Sequence, residues 1–163
     1  MHYQPQHHLL KDRIILVTGA SDGIGREAAL TYSRYSASVV LVGRNEEKLR
    51  SVAQEIDQAG GLPARWFTLD LLTCTPQECQ QLAQQIGVHY PRLDGVLHNA
   101  GLLGDVCPMD RQKPEVWQQV MQVNVNGTFM LTQALLPLLL KSESGSLAVS
   151  YTHLRAHETA ANL

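Results

Sequence analysis

The sequence predicts an α/β fold: a doubly wound parallel sheet of about five strands, in the order 3-2-1-4-5, with helices on both faces. Three observations carry that prediction. Short apolar runs recur along the chain with helical segments between them. Each connection is too long for a hairpin and suits a parallel crossover. The first run ends directly in a glycine-rich turn that opens a helix.

The elements follow in order. Residues 13–18 (Arg-Ile-Ile-Leu-Val-Thr) form a continuous apolar run, as expected of a strand buried on both faces. Residues 23–35 read as a helix and 38–42 (Ser-Val-Val-Leu-Val) as a second buried strand. Residues 45–59 form a charged amphipathic helix with Asn45 as N-cap and Gly60-Gly61 as the stop. Residues 64–69 give a third strand, and 76–86 a helix with Pro76 in its first turn. Residues 93–98 give a fourth strand. Residues 114–125 and 127–140 read as helical, as two pieces or one bent element, and 146–149 begin a fifth strand. The ligand site is expected at the carboxyl ends of the strands, where their order reverses.

Composition narrows the function. The chain has 163 residues, 44% hydrophobic and 17% charged, with a formal net charge of −2. No basic surface for nucleic acid is expected. The longest apolar stretch, residues 134–140, is too short to span a bilayer and contains Pro137. The N-terminus carries His2, His7 and His8 without a signal pattern, so a cytoplasmic address is expected. Cys74, Cys79 and Cys107 lack metal-ligand spacing and read as reduced thiols.

Thr18-Gly19-Ala20-Ser21-Asp22-Gly23-Ile24-Gly25 carries the chemistry. Gly19 permits a tight turn, Gly23 lets backbone approach a pyrophosphate, and Gly25 lets helix pack closely on strand. The helix start offers free N–H groups and partial positive charge to phosphate. In this strand–turn–helix context the motif points to a Rossmann-type dinucleotide site; the plainer alternative is a glycine turn without a ligand. The second strand ends in Val42-Gly43-Arg44-Asn45, with no acid to bind a ribose 2′-hydroxyl. A guanidinium at Arg44 can instead pair with a 2′-phosphate, which favours NADP over NAD. Arg26 either adds to that site or is a solvated first-turn residue.

At these positions the sequence resembles the short-chain dehydrogenase/reductase family, whose glycine motif is Thr-Gly-x-x-x-Gly-x-Gly. Leu69-Asp70-Leu71, Asn99-Ala100-Gly101 and Val123-Asn124-Val125-Asn126-Gly127 match further family segments in order. Within the family, the sequence resembles bacterial oxidoreductases of poorly defined substrate. The resemblance implies hydride transfer between a nicotinamide and a small carbonyl or alcohol substrate. It implies cofactor contacts at Thr18, Gly19, Ser21, Asp22, Gly23, Ile24, Gly25, Arg44, Asp70, Leu71, Asn99, Ala100 and Gly101, with Asp70 on the adenine side. It implies a catalytic Asn124 that bends its helix and positions a water through its carbonyl; a plain bend-fixing asparagine is the alternative. Asp22 runs against the NADP reading, since many NADP-preferring relatives place a basic residue there. His98 replaces the first residue of the family's Asn-Asn-Ala-Gly and is expected to be a core or second-layer residue, satisfied by backbone. The full-length parent is expected to be a homodimer or homotetramer, partly through the helix at 127–140.

The family's remaining catalytic groups are a tyrosine, a lysine four residues on that lowers the tyrosine's pKa, and an upstream serine. Here the tyrosines are Tyr3, Tyr32, Tyr35, Tyr90 and Tyr151, and four positions on stand His7, Ser36, Val39, Asp94 and Arg155. No Tyr-x-x-x-Lys pair occurs, and Ser150, Tyr151 and Thr152 are not taken as equivalents. Residues 149–159 do not resemble the family and are similar to a translated sequencing adapter. The expectation is therefore the N-terminal part of one family domain over 1–148 and a non-native tail over 149–163. Such a chain is expected to be inactive and marginally stable, with its fifth strand an unprotected edge. The alternative is a non-catalytic dinucleotide-binding module. His153 and His157 are four apart with Glu158 after them, but the His-Glu-x-x-His order and an evident third ligand are missing, so no metal site is expected.

Overall fold

Strand β1 (Ile14–Thr18) lies at the centre of the molecule and is paired on both sides. The structure, a computed structural model, describes residues 6–150. Tyr3, Tyr151, Thr152, His153, Arg155, His157 and Glu158 lie outside the described residues. On one side of β1 stands β2 (Ser38–Gly43), in register from Ile14 opposite Ser38 to Thr18 opposite Val42. On the other stands β4 (Gly95–His98), with Leu16 opposite Val96. Strand β3 (Arg65–Thr68) pairs with β2, and β5 (Ser146–Val149) with β4. All four pairings are parallel, and the order is β3-β2-β1-β4-β5, as the sequence predicts. Val149 sits opposite His98, and the Ser150 N–H donates to the His98 carbonyl at 2.8 Å.

The unbroken apolar runs of β1 and β2 follow from helices covering both faces. Leu16, Val40 and Val42 pack with Val96 against one layer, which includes Ile86 and Leu135. Val17, Val39 and Leu41 pack against the other, which includes Ala29, Val52 and Ile56. Those two layers are α3 (Pro76–His89) with α5 (Thr128–Leu139), and α1 (Gly23–Arg34) with α2 (Glu46–Gln58). Edge strand β5 is different: all four of its residues are exposed.

Helix ends follow local chemistry. Asn45 Oδ1 accepts the Lys48 N–H at 2.9 Å and caps α2. Thr75 and Glu78 form a reciprocal capping box on α3. That helix runs to His89, three residues past the expected end at 86. Gly87 does not stop it; Tyr90 does, because the residue before Pro91 is pushed into extended backbone (φ −131°, ψ 124°). The second half is one continuous bent element. Helix α4 (Pro114–Met121) passes through a π-helical segment (Gln122–Gly127) into α5.

At the amino end of the sheet, Asp94 joins three segments. Its side chain is 2% exposed and accepts the Ile14 N–H at 2.9 Å, Arg92 Nε at 2.9 Å and Ser142 Oγ at 2.6 Å. Burial alone would push the Asp94 carboxyl up, but these hydrogen bonds outweigh it and bring it down to about 2. Its contribution to stability is therefore fully present above 3.8, the ordinary aspartate value, and is lost as pH falls through about 2. Replacing Asp94 with Ala leaves a buried N–H and Arg92 without their acceptor. We expect a loss of about 3 kcal/mol in urea unfolding at neutral pH; a loss below about 1 kcal/mol would show that the network holds nothing together.

Candidate cofactor site

The strand order reverses between β1 and β4, and there the chain must leave the sheet on both sides. Thr18, the last residue of β1, is buried, and its Oγ1 accepts the Asn99 and Ala100 N–H groups, each at 3.0 Å. One hydroxyl thus pins the turn after β4 to the end of β1. Gly19 has φ +65°, and a Cβ on it would stand 3.0 Å from the Ala100 backbone. A Cβ at Gly25 would overlap the Gly19 carbonyl and Asn99 Nδ2. The sequence reading gives Gly25 to helix–strand packing; in the structure its close neighbours are the glycine loop and Asn99. At Gly23, φ is +52° and a Cβ would meet nothing within 4 Å, so this backbone is open to a ligand.

Two hollows adjoin along this seam. One, of about 550 Å³, is bordered by the glycine loop, residues 43–45, Asp70, Leu71 and residues 99–101. The other, of about 560 Å³, is bordered by Gly23, Ile24, Leu102, Asn124, Val149 and Ser150. Together they bring Thr18, Gly19, Ser21, Asp22, Gly23, Ile24, Arg44, Asp70, Leu71, Asn99, Ala100, Gly101 and Asn124 to one cleft. Gly25 is buried behind its wall.

Individual side chains are held as follows. Asp70 Oδ1 accepts the Leu72 N–H at 3.0 Å, fixing its carboxylate at the cleft wall. Arg44 is exposed on the rim at the end of β2. Arg26 does not border the cleft; it pairs with Glu55 of α2 at 2.5 Å. Asn124 is buried in the π-helical segment. Its Oδ1 accepts the Leu102 N–H at 2.8 Å and its Nδ2 donates to the Leu102 carbonyl at 2.9 Å. Those bonds tie the bend to the segment that follows residues 99–101.

Sequence reasoning missed Lys48. It stands in the first turn of α2 and borders the same cleft as Arg44, with its Nζ 2.7 Å from Asp22 Oδ2. The available signal was its place four residues after Arg44, hidden in a helix face that reads as solvated charge. His98 is buried, as expected of a core residue, but its ring partner is a side chain and not backbone, with Nε2 2.8 Å from Thr132 Oγ1. Thr132 Oγ1 donates to the Thr128 carbonyl at 2.7 Å. The proton between ring and hydroxyl therefore sits on Nε2, and Nδ1 has no hydrogen-bond partner among the described residues. Burial pushes the His98 imidazole down to about 4, so it is neutral near pH 7.

Residues 13–150 match the short chain dehydrogenase family. The chain belongs to that family. Uncharacterized oxidoreductase YciK of Escherichia coli (strain K12) is 76% identical over 147 residues, which are 90% of this chain and 58% of YciK. A short chain dehydrogenase from Escherichia coli CFT073, complexed with NADPH, has 74% identity and a TM-score of 0.88 over 89% of this chain and 60% of its own. One from Shigella flexneri 2a str. 301, complexed with NADP, has 73% identity and a TM-score of 0.87 over 88% of this chain and 60% of its own. These are the bacterial oxidoreductases that the sequence resembles, and the chain spans less than two thirds of their lengths. Among the described residues, no helix is long and apolar enough to cross a membrane.

The family's more usual asparagine gives a direct test of His98. An unfolded histidine gains a proton near 6.5, whereas the folded one resists it down to about 4. Stability should therefore fall as pH drops from about 6.5 to 4. His98→Asn should flatten that part of a Tm-against-pH curve; an unchanged curve would show that the acid loss arises elsewhere.

Proposed function

We propose that this chain forms the cofactor-holding part of an NADP-dependent oxidoreductase that exchanges hydride with a small carbonyl or alcohol substrate. The observation that carries the reading is Arg44: an exposed guanidinium at the end of β2, where an NAD site would place an acid, on the rim of the cleft that the glycine loop opens. The open backbone at Gly23, at the start of α1, suits a pyrophosphate. The NADPH and NADP bound by the two family members above support the same reading. When bound, the nicotinamide supplies or accepts the hydride.

The protein's own residues divide the remaining work. Arg44 pairs with the ribose 2′-phosphate through charge-assisted hydrogen bonds. Asp70 and Leu71 border the adenine end, and Asn99, Ala100 and Gly101 form the floor. Asn124 stands at the reacting end, where its carbonyl positions a water while its amide keeps the bend. Exposed Phe129 and Leu136 on α5 support a subunit interface at that helix.

Proton transfer is another matter. No tyrosine in the 163 residues has a lysine four positions on. A phenol without such a neighbour titrates near 10 and is a poor base at neutral pH. We therefore expect the 163-residue chain to bind cofactor without turnover. The same absence favours a second reading, a dinucleotide-binding module with no chemistry of its own.

Fluorescence titration with NADPH and NADH tests the cofactor assignment. NADPH should bind more tightly, and Arg44→Ala should weaken NADPH by about tenfold while leaving NADH nearly unchanged. Equal affinities, unaltered by the substitution, would overturn it. With NADPH and a panel of carbonyl compounds, no turnover is expected; turnover abolished by Asn124→Ala would refute the expected inactivity.

A further inference from the structure

Asp22 presents a contradiction within the NADP reading. Its carboxylate borders the same cleft as Arg44 and would repel a 2′-phosphate. It has a local task, because its Oδ1 accepts the Gly23 N–H at 2.9 Å at the start of α1. Its other oxygen holds Lys48 Nζ at 2.7 Å, a contact between residues 26 positions apart. Lys48 is itself fixed on its backbone, where its N–H bonds the Asn45 cap. Two cations, Arg44 and Lys48, thus border the same hollow as Ser21 and Asp22 of the glycine loop. The acids of the first turn of α2 are Glu46 and Glu47, and Glu46 pairs with Arg50 at 3.5 Å.

We propose that the Asp22–Lys48 pair is a cofactor-specificity element, in which Lys48 cancels the Asp22 charge and joins Arg44 as a second cationic contact for the adenosine 2′-phosphate. The inference rests on the NADP reading above. It makes Lys48 a determinant of cofactor choice, and Asp22 the residue that positions it. A pair this exposed contributes little to stability. Its effect should appear in the discrimination between cofactors and hardly at all in the fold.

Adenosine 2′,5′-bisphosphate and AMP isolate this subsite from the nicotinamide end, and calorimetry or NMR titration of the 163-residue chain reads their binding without any turnover. Circular dichroism on each variant checks that it is folded. Lys48→Gln should weaken the bisphosphate by about fivefold and leave AMP within about twofold. Lys48→Arg should keep the preference, and Lys48→Gln with Asp22→Asn should recover much of the loss, because the uncancelled carboxylate is gone. A bisphosphate preference that survives Lys48→Gln overturns this inference alone, as does a double variant no better than the single one. A wild-type chain that binds both probes equally overturns the NADP reading, and this inference with it.

Discussion

The hydrogen bonds at Thr18 Oγ1 decide whether the cleft exists. Two strands that run side by side and then depart to opposite faces leave backbone N–H groups at their ends with no ladder partner. Unpaired and buried, each would cost about 1–3 kcal/mol. Thr18 takes both, from Asn99 and Ala100, at 3.0 Å. The turn after β4 is thereby held against Gly19, which has room for it only because it lacks a side chain. The floor of the site is close-packed backbone. Polar and charged side chains stand around that floor, among them Ser21, Asp22, Arg44, Lys48 and Asp70.

The same strand pair is secured at its other end by the same device. There a buried carboxylate, Asp94, accepts the Ile14 N–H, and its backbone carbonyl accepts the Ser146 N–H at 3.0 Å. Thr18 and Asp94 therefore bracket β1 and β4 with polar side chains that bond backbone. Asn124 adds a third tie, from the π-helical bend to Leu102. A π-helical turn gives up regular helix hydrogen bonding and persists where other contacts fix it, commonly at functional sites. Here the fixing contact is a two-bond clamp onto the segment that leaves the cleft floor. The bend and the floor are consequently joined through side-chain bonds as well as through the chain.

How much of this is legible in the sequence depends on whether the signal is local. β1 and β2 can be read because burial on both faces leaves continuous apolar runs; β5 begins at Ser146 as expected, although its four residues are exposed. The end of α3 is misplaced because the apolar periodicity fades after Ile86, while the effective stop is steric, Tyr90 before Pro91. At the site, the glycine loop, Arg44, Asp70 and Asn124 are visible as a motif series and come together in the cleft. The contact of Lys48 and the partners of Arg26 and His98 are not visible. Each depends on a residue 26 to 34 positions away. No periodicity records such a contact; it exists only after the sheet brings α2 to the glycine loop and α5 to the end of β4.

The contact between Asp22 and Lys48 also bears on how one helix start can be capped and still hold an anion. A capping side chain ordinarily accepts the N–H of the second or third helical residue. Those are the Ile24 and Gly25 N–H groups, the ones a phosphate at this helix would use. Asp22 instead bonds the first, Gly23, at 2.9 Å, and turns its second oxygen to Lys48 at 2.7 Å. The ammonium and the Gly23 N–H hold the Asp22 carboxyl below the usual carboxylate range, so it stays ionised and keeps its grip on Lys48. With both oxygens committed in this way, the acid does not occupy the second and third N–H groups. An aspartate in a phosphate-binding loop is then compatible with phosphate, provided that a cation such as Lys48 draws its charge aside.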